Sequence, residues 1–239
     1  MKLSDTTALV TGANRGLGDR LVRELLAQGA RRVYITARDT DSVAEDLTAH
    51  PLTSVLPLDV SDDDSVARAA RAAGDVNVLI NNAGVLSFGG VLDGDISGFE
   101  RDLAVNYFGT LRVTRAFAPV LERNAPATVV NILTLIALAP VMPMAGYSAS
   151  KAAAHSMTQA LRAELKRKDI NVLGAYPGGI DTDMLKDVEA DKAPAAEVAR
   201  RIVSALAAGE SIVFPDDASA GAGAVYRQDP LRLEEMLAG

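Results

Sequence analysis

A chain of 239 residues fits one compact domain at about 150 residues per domain, or one with an appendage, and is long enough to bury a large core without staples. It has no cysteine and only two isolated histidines, His50 and His155, so disulfides, thiolate chemistry and a histidine-rich metal cage are excluded and no metal is expected. With 24 basic against 31 acidic residues the net charge is −7, the wrong sign for gripping nucleic acid over a broad surface, while 49% hydrophobic and 23% charged residues mark an ordinary globular protein.

In chain order, Thr7–Thr11 reads as a strand. Leu17–Gln28 reads as a helix with Leu21, Leu25 and Leu26 at helical spacing, stopped by Gly29. Arg32–Thr36 is a β-rich run, and Ser42-x-x-Glu45 predicts a capped helix through Val43, Leu47 and Thr48. Val55–Leu58 is a short strand, Ser65–Ala73 a helix and Val76–Asn81 a strand rich in Val and Ile. Ser97-x-x-Glu100 predicts a second capping box, opening a long helix through Leu103, Val105, Leu111 and Phe117. Val129–Leu133 reads as a strand, Tyr147–Lys168 as a long helix and Asn171–Tyr176 as a strand ended by Pro177. Ala195–Ala208 is a helix, Ser211–Phe214 a last strand and Leu231–Leu237 a terminal helical turn or two. The patch Ala218–Gly223, all Ala, Ser and Gly, is expected to be a flexible surface loop.

Strand–helix alternation with unalternating apolar strands implies right-handed crossovers and a parallel sheet covered on both faces. The expected fold class is therefore α/β: a Rossmann-type, doubly wound parallel sheet in a single domain over 1–239. The most apolar stretch, Val129 to Gly146, is broken by Asn131, Pro140 and Pro143, and the N-terminus lacks a signal-peptide profile. A cytoplasmic protein with neither membrane nor nucleic acid as partner is the expectation.

Directly after the first strand stands Gly12-Ala13-Asn14-Arg15-Gly16-Leu17-Gly18, leading straight into a helix. Glycines there let the chain turn sharply, let a pyrophosphate approach the backbone and let the helix pack on the sheet. The helix start offers free N–H groups and a positive dipole end to phosphates. The spacing Thr11-Gly12-x-x-x-Gly16-x-Gly18 differs from the common G-x-G-x-x-G. With that spacing the chain resembles the short-chain dehydrogenase/reductase family. Four further motifs stand in the family's order: Asp59-Val60, Asn81-Asn82-Ala83-Gly84, Tyr147-x-x-x-Lys151 and Pro177-Gly178. The resemblance spans roughly residues 5–185, closest to single-domain, NADP-preferring carbonyl reductases.

A Rossmann site that prefers NAD usually carries a carboxylate about 20 residues beyond the turn, to hold the ribose 2′-OH. Here that position is Arg38, whose guanidinium suits a 2′-phosphate, and Arg15 inside the turn is a second cation, so the expected cofactor is NADP(H). Asp39 follows, its side chain expected to point away if the strand continues. The resemblance implies that Asp59 and Val60 hold the adenine, and that Asn82, Ala83 and Gly84 line the adenosine ribose. It further implies that Pro177, Gly178, Ile180 and Thr182 cover the nicotinamide.

Tyr147 and Lys151 lie four apart and project from one helix face. A tyrosine ionises near pH 10, and an adjacent ammonium and the positive charge of an oxidised nicotinamide are both expected to lower that value and make it a usable acid and base. The resemblance gives Lys151 the nicotinamide ribose as well, and gives Asn106 the retention of a water in a proton relay. Where relatives carry a serine that polarises the carbonyl, this chain has Thr134, which keeps the hydroxyl but adds a methyl and stiffens χ1.

The expected substrate end is apolar, lined by Leu86, Phe88, Leu135, Met142, Met144 and Met184 together with Leu133, Ile136 and Val141, under a short cap over residues 183–194. It has no basic clamp, which disfavours carboxylate or phosphate substrates. Together these features imply an NADPH-dependent oxidoreductase of ketones or aldehydes, reversible as an alcohol dehydrogenase. The family's pairing of two long helices implies a homodimer or homotetramer, with Ala149, Ala152, Ala153 and Met157 at the contact. Many relatives end in Asp-Gly-Gly, where this chain has Phe214-Pro215-Asp216-Asp217. The alternative is a dinucleotide-binding sensor or scaffold with a decayed site, for which Thr134 is the one support.

Overall fold

The computed structural model describes residues 1–237. Seven parallel strands form the central sheet: β1 (Thr7–Val10), β2 (Arg32–Ala37), β3 (Thr53–Pro57), β4 (Val78–Asn81), β5 (Ala127–Ile132), β6 (Ile170–Ala175) and a short β9 (Ile212–Val213). Their spatial order is β3-β2-β1-β4-β5-β6-β9, with the reversal of winding between β1 and β4. This is the doubly wound α/β fold expected, and the crevice at the C-terminal ends of β1 and β4 is where such sheets bind ligands.

The strands lack polar alternation because both faces are covered. On one face Ala8 and Val10 of β1 meet Leu21, Val22 and Leu25 of α1 (Gly16–Ala27) and Val198, Ile202 and Val203 of α7 (Ala195–Ala208). On the other, Leu9 and Leu79 meet Val66 and Ala69 of α3 (Asp63–Ala72) and Val113 and Phe117 of α5 (Thr110–Arg123). Successive side chains along a strand point to opposite faces, so an all-apolar strand is what two cores require.

Several expectations need correction. Ser42 does not open a helix: its hydroxyl donates to the Asp39 carbonyl at 2.6 Å and accepts from Asn14 Nδ2 at 2.9 Å. Asp39 takes the Asp41 N–H instead, and only one helical turn, α2 (Glu45–Thr48), follows. Ser97 is likewise not the cap of α4 (Ile96–Asp102); Asp95 is, accepting the Ser97 N–H at 3.1 Å and the Ser97 hydroxyl at 2.6 Å. A carboxylate two residues earlier outcompetes the serine for the orphan donors.

The long helix expected after it is not uniform: over Leu103–Gly109 it widens to π-helical bonding before α5 resumes the ordinary pitch. The patch 218–223 is not a loop but lies in α8 (Asp217–Gln228), which leads into α9 (Pro230–Leu237). Asp216 and Ser219 cap α8 reciprocally, and Gly223 sits where an added Cβ would stand 2.7 Å from the Phe214 ring, so its smallness serves packing. The remaining long helix is α6 (Ala145–Leu165). Residues 183–194, the expected short cap, follow the two-residue strand β7 (Ile180–Asp181) and end in β8 (Ala193–Pro194); these strands pair with each other, and Lys192 Nζ donates to the Leu185 carbonyl at 2.6 Å. Among the described residues no helix is long and apolar enough to cross a membrane.

Candidate active site

A cleft of about 820 Å³ runs along the C-terminal edge of β1, β2, β4 and β5. Its floor is the glycine turn: Gly12, Asn14, Arg15, Gly16, Leu17 and Gly18 all line it. Gly12 and Gly16 hold φ of +62° and +58°, a left-handed region that a side chain strains. Gly18 has no room for one, since a Cβ would stand 2.4 Å from the Gly12 carbonyl oxygen and 2.7 Å from Asn82 Nδ2. No side chain caps α1, whose first residues border the cleft. Backbone close enough to cradle a pyrophosphate, at an uncapped helix N-terminus, fits the expected dinucleotide.

Two polar braces hold this turn. Asn82 Nδ2 donates to the carbonyls of Thr11 and Gly12 at 2.9 and 3.0 Å. Thr11 Oγ1 in turn accepts the N–H groups of Asn82 and Ala83, both at 2.9 Å. On the other side Asn14 reaches Ser42, tying the turn to the end of β2. Arg38 stands exposed at that end and lines the cleft, with no carboxylate within salt-bridge distance among the described residues. Because β2 ends at Ala37, Asp39 does not keep strand alternation and lines the cleft as well. Arg15 pairs with Asp183 at 3.4 Å across the cleft mouth, an exposed contact worth little energetically.

Asp59 and Val60 line the next stretch, followed by Asn82, Ala83 and Gly84. Asp59 accepts the Ser61 hydroxyl at 2.6 Å and the Ser61 N–H at 2.9 Å. Those hydrogen bonds, with the Arg38 charge as a smaller contribution, hold its carboxyl below the ordinary range. Val60 sits against Gly109 at the end of the π-helical turns, where a Cβ would stand 2.7 Å from its methyl.

At the far end three elements converge. Lys151, on α6 and only 5% exposed, donates to the Ile132 carbonyl of β5 at 2.9 Å. Its ammonium lies 5.7 Å from the centroid of the half-buried Tyr147 ring. Thr134, just beyond β5, donates its hydroxyl to the Pro177 carbonyl at 3.3 Å. Pro177, Gly178, Ile180 and Thr182 follow along the same wall, Thr182 standing where a Cβ on Gly16 would meet its methyl at 3.4 Å. Asn106 is not in the lining. Its amide donates to the Val85 carbonyl and Ser150 Oγ and accepts the Val85 N–H, all at 2.9 Å, so the side chain is fully engaged in clasping the 84–86 segment to α6.

For the chain alone the electrostatics of the pair run against the expected lowering, which counts also on the charge of an oxidised nicotinamide. Burial, with the nearby charge of Asp102, pushes the Tyr147 phenol well above the ordinary tyrosine range, not below it. Burial lowers Lys151 as well, to about 8, against the opposing pull of Asp102. Asp102 was not foreseen; it is fully buried and accepts from the Ser87 hydroxyl at 2.8 Å and the Ser87 N–H at 3.1 Å. An acid in a run of helix-forming residues leaves no signal of burial in the sequence.

The depressed lysine has a thermodynamic consequence. Below about pH 8 folded and unfolded chains both carry the proton, and the full cost of burying an ammonium is present. As pH rises from about 8 toward the ordinary 10.5 the folded state loses its proton first, so stability is gained across that window. Measured by urea unfolding, the stability advantage of Lys151→Met over the parent should shrink by roughly 3 kcal/mol across it. A constant difference would mean that Lys151 keeps its proton in the fold.

Of the residues expected at the substrate end, Leu86, Leu135, Met144, Met184, Leu133, Ile136 and Val141 line the cleft. Phe88 and Met142 do not line it: they are 57% and 75% exposed and stand outside the mouth. Phe88 directly precedes Gly89, which forms a short bridge with Met144. The lining also includes Val188 from the short cap, and Ala218 and Leu237 from α8 and α9, which no local motif marks.

The family model described as short chain dehydrogenase matches residues 6–193. A solved short chain dehydrogenase from Burkholderia cenocepacia, in complex with NADP, is 35% identical with a TM-score of 0.94 over 100% of both chains. A rhamnolipids biosynthesis 3-oxoacyl-[acyl-carrier-protein] reductase of Pseudomonas aeruginosa is 33% identical over 202 residues, 79% of this chain and 78% of that protein. An oxidoreductase of Staphylococcus saprophyticus is 30% identical over 198 residues, 79% of this chain and 84% of that one. With its fold, its glycine cradle and a matched region covering most of its length, the chain belongs to the short chain dehydrogenase family of oxidoreductases.

Proposed function

We propose that the protein reduces an apolar, uncharged ketone or aldehyde with NADPH, and oxidises the corresponding alcohol in reverse. The observation that carries this reading is the convergence of Tyr147, Lys151 and Thr134 at one end of a cleft whose other end is the glycine turn. The bound cofactor supplies or accepts a hydride. The chain's own part is to hold it along Gly12–Gly18, Asp59, Asn82 and Pro177–Thr182, and to manage the proton. A phenol kept neutral by burial is the form that gives a proton to a developing alkoxide. Thr134 Oγ1 is the hydroxyl placed to donate to the carbonyl oxygen, and the apolar walls exclude water. Turnover is tested by NADPH oxidation against a panel of aldehydes, ketones and diketones with an NADH control; silence across the panel would favour the decayed-site alternative.

The choice of NADPH rests on Arg38, an exposed guanidinium at the end of β2 with no carboxylate partner among the described residues, and is in keeping with the NADP bound by the Burkholderia relative. A charge-assisted bidentate contact contributes roughly 1.5–3 kcal/mol, or about 10- to 100-fold in affinity. Arg38→Asp should therefore lower the NADPH/NADH affinity ratio by that factor in fluorescence titrations. An unchanged ratio would reassign the cofactor.

A homodimer or homotetramer is the proposed assembly. Its support is a face of small exposed residues, Ala149 and Ala152 on α6, beside the exposed Phe108 of the adjoining π-helical turns. Met157, expected on that face, is instead buried in its own chain. Light scattering at micromolar concentration should give at least twice the 25.0 kDa chain mass, and a monomer would defeat the idea.

A further inference from the structure

Asp216 is only 4% exposed and has no cation within salt-bridge distance among the described residues. A buried carboxylate of this kind is costly unless donors fill its oxygens. Oδ1 accepts the Ser219 N–H at 2.8 Å, and Oδ2 accepts the Ser219 hydroxyl at 2.8 Å and the Gly178 N–H at 2.9 Å. The first two contacts cap α8. The third has nothing to do with the helix: it crosses 38 positions of chain to the turn that forms one wall of the cleft. Gly178 is fitted to it, since a Cβ there would stand 3.1 Å from Oδ1.

From that clasp a closed circuit can be traced. α8 carries α9, whose Leu233 is fully buried against Leu135 and Ala139, the segment following Thr134. Thr134 Oγ1 and the Leu135 N–H both meet the Pro177 carbonyl, at 3.3 and 2.8 Å. Leu237, one turn beyond Leu233, lines the cleft itself. All of α8 and α9 lies beyond residue 193, where the match to the family model ends.

We propose that Asp216 is a positioning residue that holds the α8–α9 hairpin in register with the Pro177–Gly178 turn, making Leu237 a specificity contact that limits the bulk of the substrate's apolar substituent. The identity of the ligand rests on the carbonyl-reductase reading; the coupling of turn to hairpin does not.

The experiment has two arms, separable for that reason. In Asp216→Asn the helix keeps a cap of equal quality, because Asn and Asp serve N-caps alike. One oxygen becomes an NH2, however, and the Gly178 N–H loses its acceptor. Hydrogen exchange of the cofactor-free protein should speed about tenfold or more at Gly178 and through Leu231–Leu237, with the sheet unchanged. Faster exchange confined to α8 would make Asp216 a helix cap only and overturn the coupling. In the second arm Leu237→Ala is assayed with NADPH on methyl ketones of increasing branching. The kcat/KM of the bulkiest relative to the slimmest should rise about tenfold or more, with the NADPH dissociation constant unchanged. Unaltered selectivity overturns the role of Leu237. If the parent reduces none of these ketones, the functional reading fails, and the exchange arm decides the coupling alone.

Discussion

Replacing Tyr147 by phenylalanine is expected to abolish turnover while NADPH still binds. The change removes one oxygen from a half-buried ring and leaves the ring's packing in place. Two ionisable neighbours are engaged elsewhere. Lys151 is held on the Ile132 carbonyl, and the Asp102 carboxylate is fully buried and tied to Ser87. A positioned general acid contributes about 10²–10⁴-fold, so kcat should fall by at least that range while the dissociation constant from NADPH fluorescence stays within about twofold. Residual activity above about a tenth of the parent's would identify another acid, since the loss would then lie below that range.

The second large effect concerns Thr134. Thr134→Val deletes the hydroxyl at nearly constant volume and should lower kcat/KM by about 10²–10³, the loss found when one preorganised donor to a developing oxyanion is removed. The geometry makes this physically reasonable. The Thr134 bond to the Pro177 carbonyl is long at 3.3 Å, and the Leu135 N–H already satisfies that carbonyl at 2.8 Å. The hydroxyl can therefore turn from Pro177 to a substrate oxygen without orphaning a buried acceptor. Thr134→Ser should retain activity and broaden the accepted substrates by freeing χ1. A decayed site behaves differently, with negligible parent activity and a rise on installing serine. Equal turnover by the parent and Thr134→Val would make Thr134 pocket wall and give the carbonyl to another donor.

What the sequence determined by itself was everything set by short-range chemistry. Two-sided apolar strands such as Val78–Asn81 have no meaning outside a covered parallel sheet, so the doubly wound fold was legible from their composition and order. The glycine turn was legible because only glycine takes positive φ at Gly12 and Gly16 without strain. Tyr147 and Lys151 share a helix face by spacing alone.

Only the tertiary structure decided the rest, because each remaining feature depends on a partner distant in the chain. Ser42 resembles a cap until Asn14, 28 positions earlier, takes its hydroxyl. The Ala-Ser-Gly patch resembles a loop until Asp216 caps it and the Phe214 ring occupies the space beside Gly223. The widened turns at Leu103–Gly109 have no periodic signature; there Gly109 packs on Val60 and Asn106 is clasped to Val85. The raised phenol of Tyr147 and the lowered ammonium of Lys151 follow from burial. Spacing can bring two side chains to one helix face, but the dielectric around them is set by what the whole fold places over that face.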